Sequence, residues 1–233
     1  MEYLHLFETA QEALEAYNDN NTYKEPWVSC VEGEEESVLF NRPPDPVFNY
    51  HDYVDLGLPS GTLWATCNVG GLTPEQAGLP FAWGETETKD TFTMDNYKYA
   101  NSSEFDNSAF TKYNATDGIT QLLPVDDAAS VNMGGMWRMP TVAQYEELMA
   151  NGSFTYSSGV FTYTSNVNGN QMKIRFHNTG RLWLRDRDNA DCKWAKVMEW
   201  MGSGSNRYLG TGRQYGYSVR GVVMFELQPV PAM

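Results

Sequence analysis

The sequence has few cysteines and no apolar run of the length that a bilayer requires. Three cysteines, Cys30, Cys67 and Cys192, occur among 233 residues, and a widely spaced set of odd number is a poor basis for a disulfide framework. We expect reduced thiols. No stretch approaches the roughly 20 apolar residues of a transmembrane helix, and the start of the chain lacks the features of a signal peptide. We therefore expect no membrane insertion.

The spacings that support metal or nucleophilic chemistry are also missing. His5, His51 and His177 lie far apart, and neither His-Glu-x-x-His nor Cys-x-x-Cys occurs. The glycine-rich stretches at 202–204 and 210–212 lack the Lys-Ser/Thr ending of a phosphate loop. No serine stands in a Gly-x-Ser-x-Gly context. We expect no catalytic residues, no metal and no other cofactor.

Charge is unevenly distributed along the chain. The net charge is -14, which opposes binding to the phosphates of a nucleic acid. Residues 181–220 nevertheless hold eight of the sixteen Lys and Arg against four acids, so this segment is +4 while the other residues sum to -18. It also contains three Trp and three Tyr, and Trp, Tyr and Arg most often carry binding energy at protein surfaces. The segment shows no secondary-structure period and predicts an exposed recognition surface.

The first part of the chain predicts a small module. Thr9 is a suitable N-cap for a helix that keeps apolar spacing to Asn18. Two strand-like runs, 27–31 and 37–40, flank an acidic loop and predict a hairpin. Three prolines in 43–46 indicate a stiff linker. We therefore divide the chain into a small α/β module with its linker over 1–47 and a larger domain over 48–233.

The larger domain predicts short strands, irregular segments and two helices. One helix is expected to start at Thr73 with Pro74 at its first position. The other follows Thr141 and Gln144, which form a capping box. Asp126 and Asp127, before two alanines, are typical of a helix cap, and 85–120 predicts a long surface excursion. Strands are expected at 54–56, 62–69, 154–156, 160–165, 172–176, 182–185 and 217–227.

The basic segment contains residues with two different expected positions. Trp183 and Arg220 stand among apolar neighbours and are expected in the core, whereas Trp200 fits either a core or a contact position. The stretches 185–191 and 206–215 have no apolar alternation and are expected to be exposed.

Five motifs in order resemble a known family. They are Tyr53-Val54-Asp55-Leu56-Gly57-Leu58-Pro59-Ser60-Gly61-Thr62-Leu63-Trp64-Ala65-Thr66-Cys67-Asn68-Val69-Gly70, Phe81-Ala82-Trp83-Gly84-Glu85, Asp126-Asp127-Ala128-Ala129, Gly135-Met136-Trp137-Arg138-Met139-Pro140-Thr141 and Gly216-Tyr217-Ser218-Val219-Arg220-Gly221-Val222. Together they resemble C-type-lectin-fold proteins of the branch built like the formylglycine-generating enzyme, common in gut bacteria and their phages. The resemblance implies an α+β, loop-rich C-type lectin-like fold with mixed, mostly antiparallel strands.

Within that branch the chain resembles the variable proteins of diversity-generating retroelements. In those proteins adenine-directed mutagenesis rewrites codons of a C-terminal segment, and 183–221 stands at the matching place. With the usual Asn-type template codons, Trp and Lys are not products of the mutagenesis, so Lys193 and Trp194 would be fixed by the template. The enzyme of this fold uses two nearby cysteines, whereas only Cys192 lies in this region. The calcium-binding sequences of the sugar-binding lectins are also missing.

The resemblance implies a non-enzymatic ligand-binding protein with a hypervariable surface, used in phage receptor binding or host attachment. The ligand would be a protein or glycan on a target cell surface, the location the virion, and the N-terminal module a contact to other virion proteins. The alternative is an invariant bacterial surface adhesin or structural lectin-like domain. The candidate ligand-binding residues are Arg185, Asp186, Asp188, Asn189, Asp191, Lys193, Trp194, Asn206, Arg207, Tyr208, Thr211, Arg213 and Tyr215.

Overall fold

A computed structural model describes residues 30–31, 38–39, 51–134, 136–177, 180–201 and 205–224, and only the backbone of 30–31, 38–39, 201 and 205–208. The chain divides into two compact units, Met1–Tyr50 and His51–Met233. In the first unit, β1 (Cys30–Val31) pairs antiparallel with β2 (Val38–Leu39), within the runs predicted to form a hairpin. The helix predicted from Thr9 to Asn18 lies outside the described residues.

The described residues of the second unit form three small antiparallel sheets and two α-helices, so its class is α+β as predicted. The sheet orders are β11-β4-β3, β5-β6-β7 and β10-β9-β8. The elements are β3 (Tyr53–Asp55), β4 (Thr62–Asn68), α1 (Ala128–Met133), α2 (Val142–Ala150), β5 (Gly152–Ser157), β6 (Val160–Ser165), β7 (Gln171–Ile174), β8 (Arg181–Arg187), β9 (Trp194–Met201), β10 (Ser205–Gly212) and β11 (Arg220–Met224). No helix among the described residues is long and apolar enough to cross a bilayer.

Side-chain caps start both α-helices. Asp127 accepts hydrogen bonds from the backbone N–H groups of Ala129 (2.9 Å) and Ser130 (3.1 Å) at the start of α1. At α2, Thr141 Oγ1 accepts from Gln144 N at 3.3 Å, and Gln144 Oε1 accepts from Thr141 N at 3.0 Å. These bonds satisfy N–H groups that have no partner within the helix. The predicted cap and capping box are confirmed.

The helix predicted at Thr73 is wrong, because a turn stands there. Gln76 N donates to Thr73 O at 3.0 Å, and the Gln76 side chain accepts from Leu72 N at 2.6 Å. Gly78 follows with φ +72, a left-handed conformation that ends helical winding. The backbone conformation of Pro74 therefore suits this turn as well as it suits the first position of a helix.

The segment 85–120 is irregular as predicted, but it is not a surface excursion. Six of its side chains lie in the core: Met94, Tyr97, Tyr99, Ala109, Phe110 and Tyr113. The tyrosine hydroxyls have partners there: Tyr97 Oη donates to Trp83 O at 2.7 Å, and Tyr113 Oη donates to Asp126 Oδ2 at 2.6 Å. Because a buried hydroxyl costs little once it is hydrogen-bonded, a Tyr-rich segment can fill a core.

The basic segment forms β8, which contains the strand predicted at 182–185, and two strands that were not predicted, β9 and β10. Both faces of β8 and β9 are buried. Trp183, Ala195 and Val197 belong to one hydrophobic core, whereas Leu182, Leu184, Met198 and Trp200 belong to the other. Apolar and polar residues therefore do not alternate in β8 and β9, so the sequence indicated only part of β8 and did not indicate β9. The predicted core position of Trp183 is confirmed. Trp200, for which the sequence allowed either a core or a contact position, also lies in the core.

The closing strand is shorter than predicted within the described residues. Arg220 pairs with Asn68 and Val222 with Trp64, so the register shifts between them. Val222 and Val223 pair regularly with Trp64 and Leu63 and are both buried, so both faces of β11 are covered here, against the predicted alternation. A β-bulge places one extra residue in a strand and interrupts its period of two. The predicted residues 225–227 lie outside the described ranges.

Candidate functional site

The turn between β8 and β9 is built by two aspartates. Asp188 Oδ1 accepts hydrogen bonds from Ala190 N at 2.9 Å and Asp191 N at 3.3 Å. Asp191 Oδ1 accepts from Lys193 N at 3.1 Å, and Asp191 Oδ2 accepts from Trp194 Nε1 at 3.1 Å. Such bonds from an Asp side chain to the following backbone replace regular structure in a turn. The turn is therefore held in place while Asn189 and Ala190 remain exposed.

A second segment borders this turn. The rings of Phe105 and Trp194 meet edge to face, with centroids 5.2 Å apart, and Lys193 Nζ lies 5.8 Å from the centre of the Phe105 ring. Cys192 Sγ donates to Asn107 Oδ1 at 3.0 Å. We call the resulting patch the turn surface and define it as Phe105, Asp106, Asp188, Asn189, Asp191, Lys193, Trp194 and Lys196.

Phe105 and Asp106 are the residues of the turn surface that sequence reasoning missed. They stand more than 80 positions before the turn, in a segment without clear periodicity. No spacing links them to Trp194. Their polar, aromatic context was visible, but their position depends on the long-range packing of 85–120.

The turn surface has no excess of positive charge. Its two ammonium groups are paired: Lys196 Nζ lies 2.6 Å from Asp188 Oδ2, and Lys193 Nζ lies 3.3 Å from Asp191 Oδ2. Partial burial favours a higher pKa for Asp188, but the hydrogen bond from Lys196 and the turn N–H groups hold it below its usual value. Hydrogen bonds from Ser108 lower the pKa of the exposed Asp106. Three carboxylates therefore face two cations.

Folding pairs the remaining described cations of the basic segment within the unit. Arg181 forms a salt bridge with Glu199 at 2.6 Å. Arg185 Nε donates to Leu122 O at 2.9 Å, and the buried Arg187 donates to Asn114 O at 3.0 Å. The side chain of Arg207 is not described. With Arg207 set aside, the net charge of +4 in the sequence does not produce a basic patch on the surface of the folded unit.

Arg213 is the clearest correction to the predicted site. Its side chain is 0% exposed, and its guanidinium lies 4.5 Å from the ring centre of Phe110 and 5.0 Å from that of Trp83. It donates to Lys112 O at 2.9 Å, to the carbonyls of Tyr113 and Cys192 at 3.1 Å, and to Tyr97 Oη at 3.0 Å. A guanidinium enclosed by rings and carbonyls cannot contact a ligand, so the predicted exposure is wrong.

The side chains of Thr211 and Asp186 also make contacts within the fold. Thr211 is buried, with its hydroxyl 3.2 Å from Tyr217 Oη, so its predicted exposure is wrong. Asp186 accepts from Val142 N at 2.7 Å and from Gln121 Nε2 at 2.9 Å. A carboxylate at the first N–H of α2 stabilises that helix end. Arg220 is fully buried as expected and donates to Asn68 Oδ1 at 2.7 Å.

The other predicted residues lie at two ends of the β8–β9–β10 sheet. Tyr215 is exposed and lies three positions after Gly212, which pairs with Trp194. Tyr215 therefore lies at the end of the sheet that carries the turn surface. The backbones of Asn206, Arg207 and Tyr208 pair with Trp200, Glu199 and Met198. From Trp194 to Glu199 a strand advances about 17 Å. The predicted set therefore does not form one continuous patch.

Comparison with known proteins adds no relative: no family model, no curated protein and no solved structure matches the chain. Within the part of the chain that the structure describes, no group of three or more His, Cys, Asp and Glu residues is arranged to hold a metal ion. Cys67 and Cys192 are free thiols. The turn surface is therefore interpreted from its own geometry.

Proposed function

We propose that the second unit is a non-enzymatic ligand-binding protein and that its ligand contacts the turn surface. One observation carries the proposal. The β8–β9–β10 sheet lies between two hydrophobic cores, while the turn at its end leaves Asn189 exposed and Trp194 partly exposed. Binding groups on rigid elements lose little conformational entropy when a ligand binds.

The side chains of the turn surface favour a protein or glycan ligand. Phe105 and Trp194 offer partly exposed aromatic area, and aromatic rings contribute contact area at low entropic cost. Asp106, Asp188 and Asn189 supply acceptors and donors beside these rings. The paired lysines leave no excess positive charge to attract a polyanion. The ligand is therefore a neutral or weakly basic surface rich in hydrogen-bonding groups.

The proposal is tested by adding bulk at the apex of the turn. Asn189 is exposed, and within the described residues its side chain makes no hydrogen bond, so Asn189→Arg should leave the fold intact. Binding to arrays of bacterial surface glycans and purified surface proteins should fall by at least about tenfold. Asn166→Arg, in the exposed turn between β6 and β7, is the matched control. Equal binding by both variants would refute the role of the turn surface.

We also propose, from the motif resemblance, that the unit has a C-type lectin-like fold and is the variable protein of a retroelement in a phage virion. The contacts narrow the described positions that tolerate diversification to the exposed Asn189 and Tyr215, because Asp188 and Asp191 hold the turn; the side chains of 206–208 are not described. Neighbouring DNA gives the test: a reverse-transcriptase gene and a near-copy of the coding segment for 183–221 are expected. A neighbourhood with neither would reject the retroelement.

The second candidate is an invariant bacterial surface adhesin. It is favoured by the structural contacts of three positions that the retroelement hypothesis predicts to vary, Asp186, Thr211 and Arg213. Natural variants separate the candidates. Conserved residues at 189 and 215 among sequences from closely related genomes favour the adhesin, whereas frequent changes confined to these exposed positions favour diversification.

A further inference from the structure

Among the described residues, the β5–β6–β7 sheet has an uncovered edge at β5. Within the described part of the chain, β5 pairs with β6 and with no other strand. Its sequence is Gly-Ser-Phe-Thr-Tyr-Ser, without charge or proline. Ser153, Thr155, Tyr156 and Ser157 are exposed. Proteins usually protect such an edge with Lys, Pro, a bulge or a covering segment, and β5 has none of the first three.

The turn geometry identifies the backbone groups that face outward. Ser158 and Gly159 have φ of 52 and 82, as a two-residue type I′ turn requires. The flanking pair, Ser157 and Val160, therefore exchanges backbone hydrogen bonds, and alternate residues of β5 repeat this pattern. Ser153, Thr155 and Ser157 thus bond to β6. The N–H and C=O groups of Gly152, Phe154 and Tyr156 point away from the sheet.

We propose that β5 pairs antiparallel with β5 of a second copy of this chain and so joins two three-stranded sheets into one. When Phe154 faces Phe154 of the second copy, Gly152 faces Tyr156 of the second copy, and every outward N–H and C=O of β5 gains a partner. On the outer face, Ser153 then lies opposite Thr155 of the second copy, a favourable cross-strand pair.

A second copy is the favoured occupant because this edge is complementary to itself. An antiparallel pair of identical strands has two-fold symmetry, so both copies use the same surface and the assembly closes as a dimer. The chain carries a net charge of -14, and two copies repel each other wherever charged faces meet. The uncharged β5 edge avoids that repulsion locally. A foreign strand on the same edge is the competing outcome of the test.

Two double variants with matched charge test the pairing. Ser153→Lys/Thr155→Lys places lysines opposite one another across the proposed interface. Thr162→Lys/Thr164→Lys places the same charges on the same face of β6, at the positions paired with Thr155 and Ser153. In sedimentation equilibrium of the full chain from about 1 µM to about 1 mM, we expect a dimer whose dissociation constant rises at least tenfold in the edge variant and not in the control.

Hydrogen exchange of the unmodified protein gives a second measurement that needs no variant. As concentration rises, the amides of Gly152, Phe154 and Tyr156 should gain protection, whereas those of Ser153, Thr155 and Ser157 should be protected throughout. A protein that stays monomeric to about 1 mM would overturn the proposal. So would growth beyond a dimer, or a dimer with unchanged exchange at Phe154 and Tyr156.

Discussion

In this protein, burial distinguishes the arginines that stabilise the fold from those that lie at the surface. Arg213 and Arg220 are both 0% exposed, and both donate chiefly to backbone carbonyls of distant segments. The planar guanidinium carries five donors in fixed directions, so one residue can join several segments at once. Arg213 joins β10 to residues 112–113 and to the chain before Trp194. The same residue type that suggested a recognition patch therefore provides internal cross-links.

We expect Arg213→Met to destabilise the second unit by about 3–5 kcal/mol, because the carbonyls of Lys112, Tyr113 and Cys192 lose a buried donor. Urea unfolding followed by circular dichroism measures the change. Arg175→Met, at an exposed position, is the control and should stay within about 0.5 kcal/mol of the unmodified protein. Equal stabilities of the two variants would show that Arg213 does not hold these segments together.

At the scale of elements, a buried carboxylate fixes the long segment 85–120 to the start of α1. Asp126 is 3% exposed and accepts hydrogen bonds from Tyr99, Tyr113 and Lys112; Lys98 Nζ is 3.2 Å away. Burial favours a raised pKa for Asp126, but these donors outweigh it and lower the pKa to about 2. The charged form is therefore more stable in the folded state than in the unfolded chain.

The pKa of Asp126 predicts a specific loss of stability in acid. The unfolded pKa is about 3.9, so the stabilisation is complete above about pH 4 and decreases as pH falls towards about 2. Asp126→Asn should remove this part of the pH dependence. Urea midpoints at pH 7, 4, 3 and 2 measure it, with the exposed Asp117→Asn as the control. Parallel pH profiles for Asp126→Asn and the unmodified protein would contradict the prediction.

Local signals predicted the elements whose ends are set by neighbouring residues. The Thr141–Gln144 capping box and the Asp127 cap were found because their hydrogen bonds join residues two or three positions apart. The segment 85–120 and the strands β9 and β10 were misjudged because distant contacts determine their burial. Only part of the turn surface was predicted from the sequence. Its aspartates form hydrogen bonds with neighbouring residues, whereas Phe105 contacts Trp194 only through the tertiary fold.

At the scale of the whole molecule, folding changes what the charge distribution means. The sequence has a segment of charge +4 within a chain of net charge -14. In the unfolded chain, the cations of this segment are exposed to solvent. In the folded unit the cations whose side chains are described are paired with Glu199, Asp188 and Asp191 or donate to backbone carbonyls. A polyanion that approaches the turn surface meets paired lysines beside Asp106. The long-range field of the -14 chain adds to this repulsion.

We therefore expect the folded protein to show no retention on heparin and no binding to duplex DNA at about 50 mM salt. A synthetic peptide of residues 181–220, which has the same sequence and a charge of +4, should be retained on heparin because its cations are unpaired. Fluorescence anisotropy with a labelled duplex provides an independent measurement on both. If the folded protein bound these polyanions, and Lys193→Ala/Lys196→Ala abolished the binding, the lysines of the turn surface would be available to ligands. The ligand class would then change from a neutral or weakly basic surface to an acidic one.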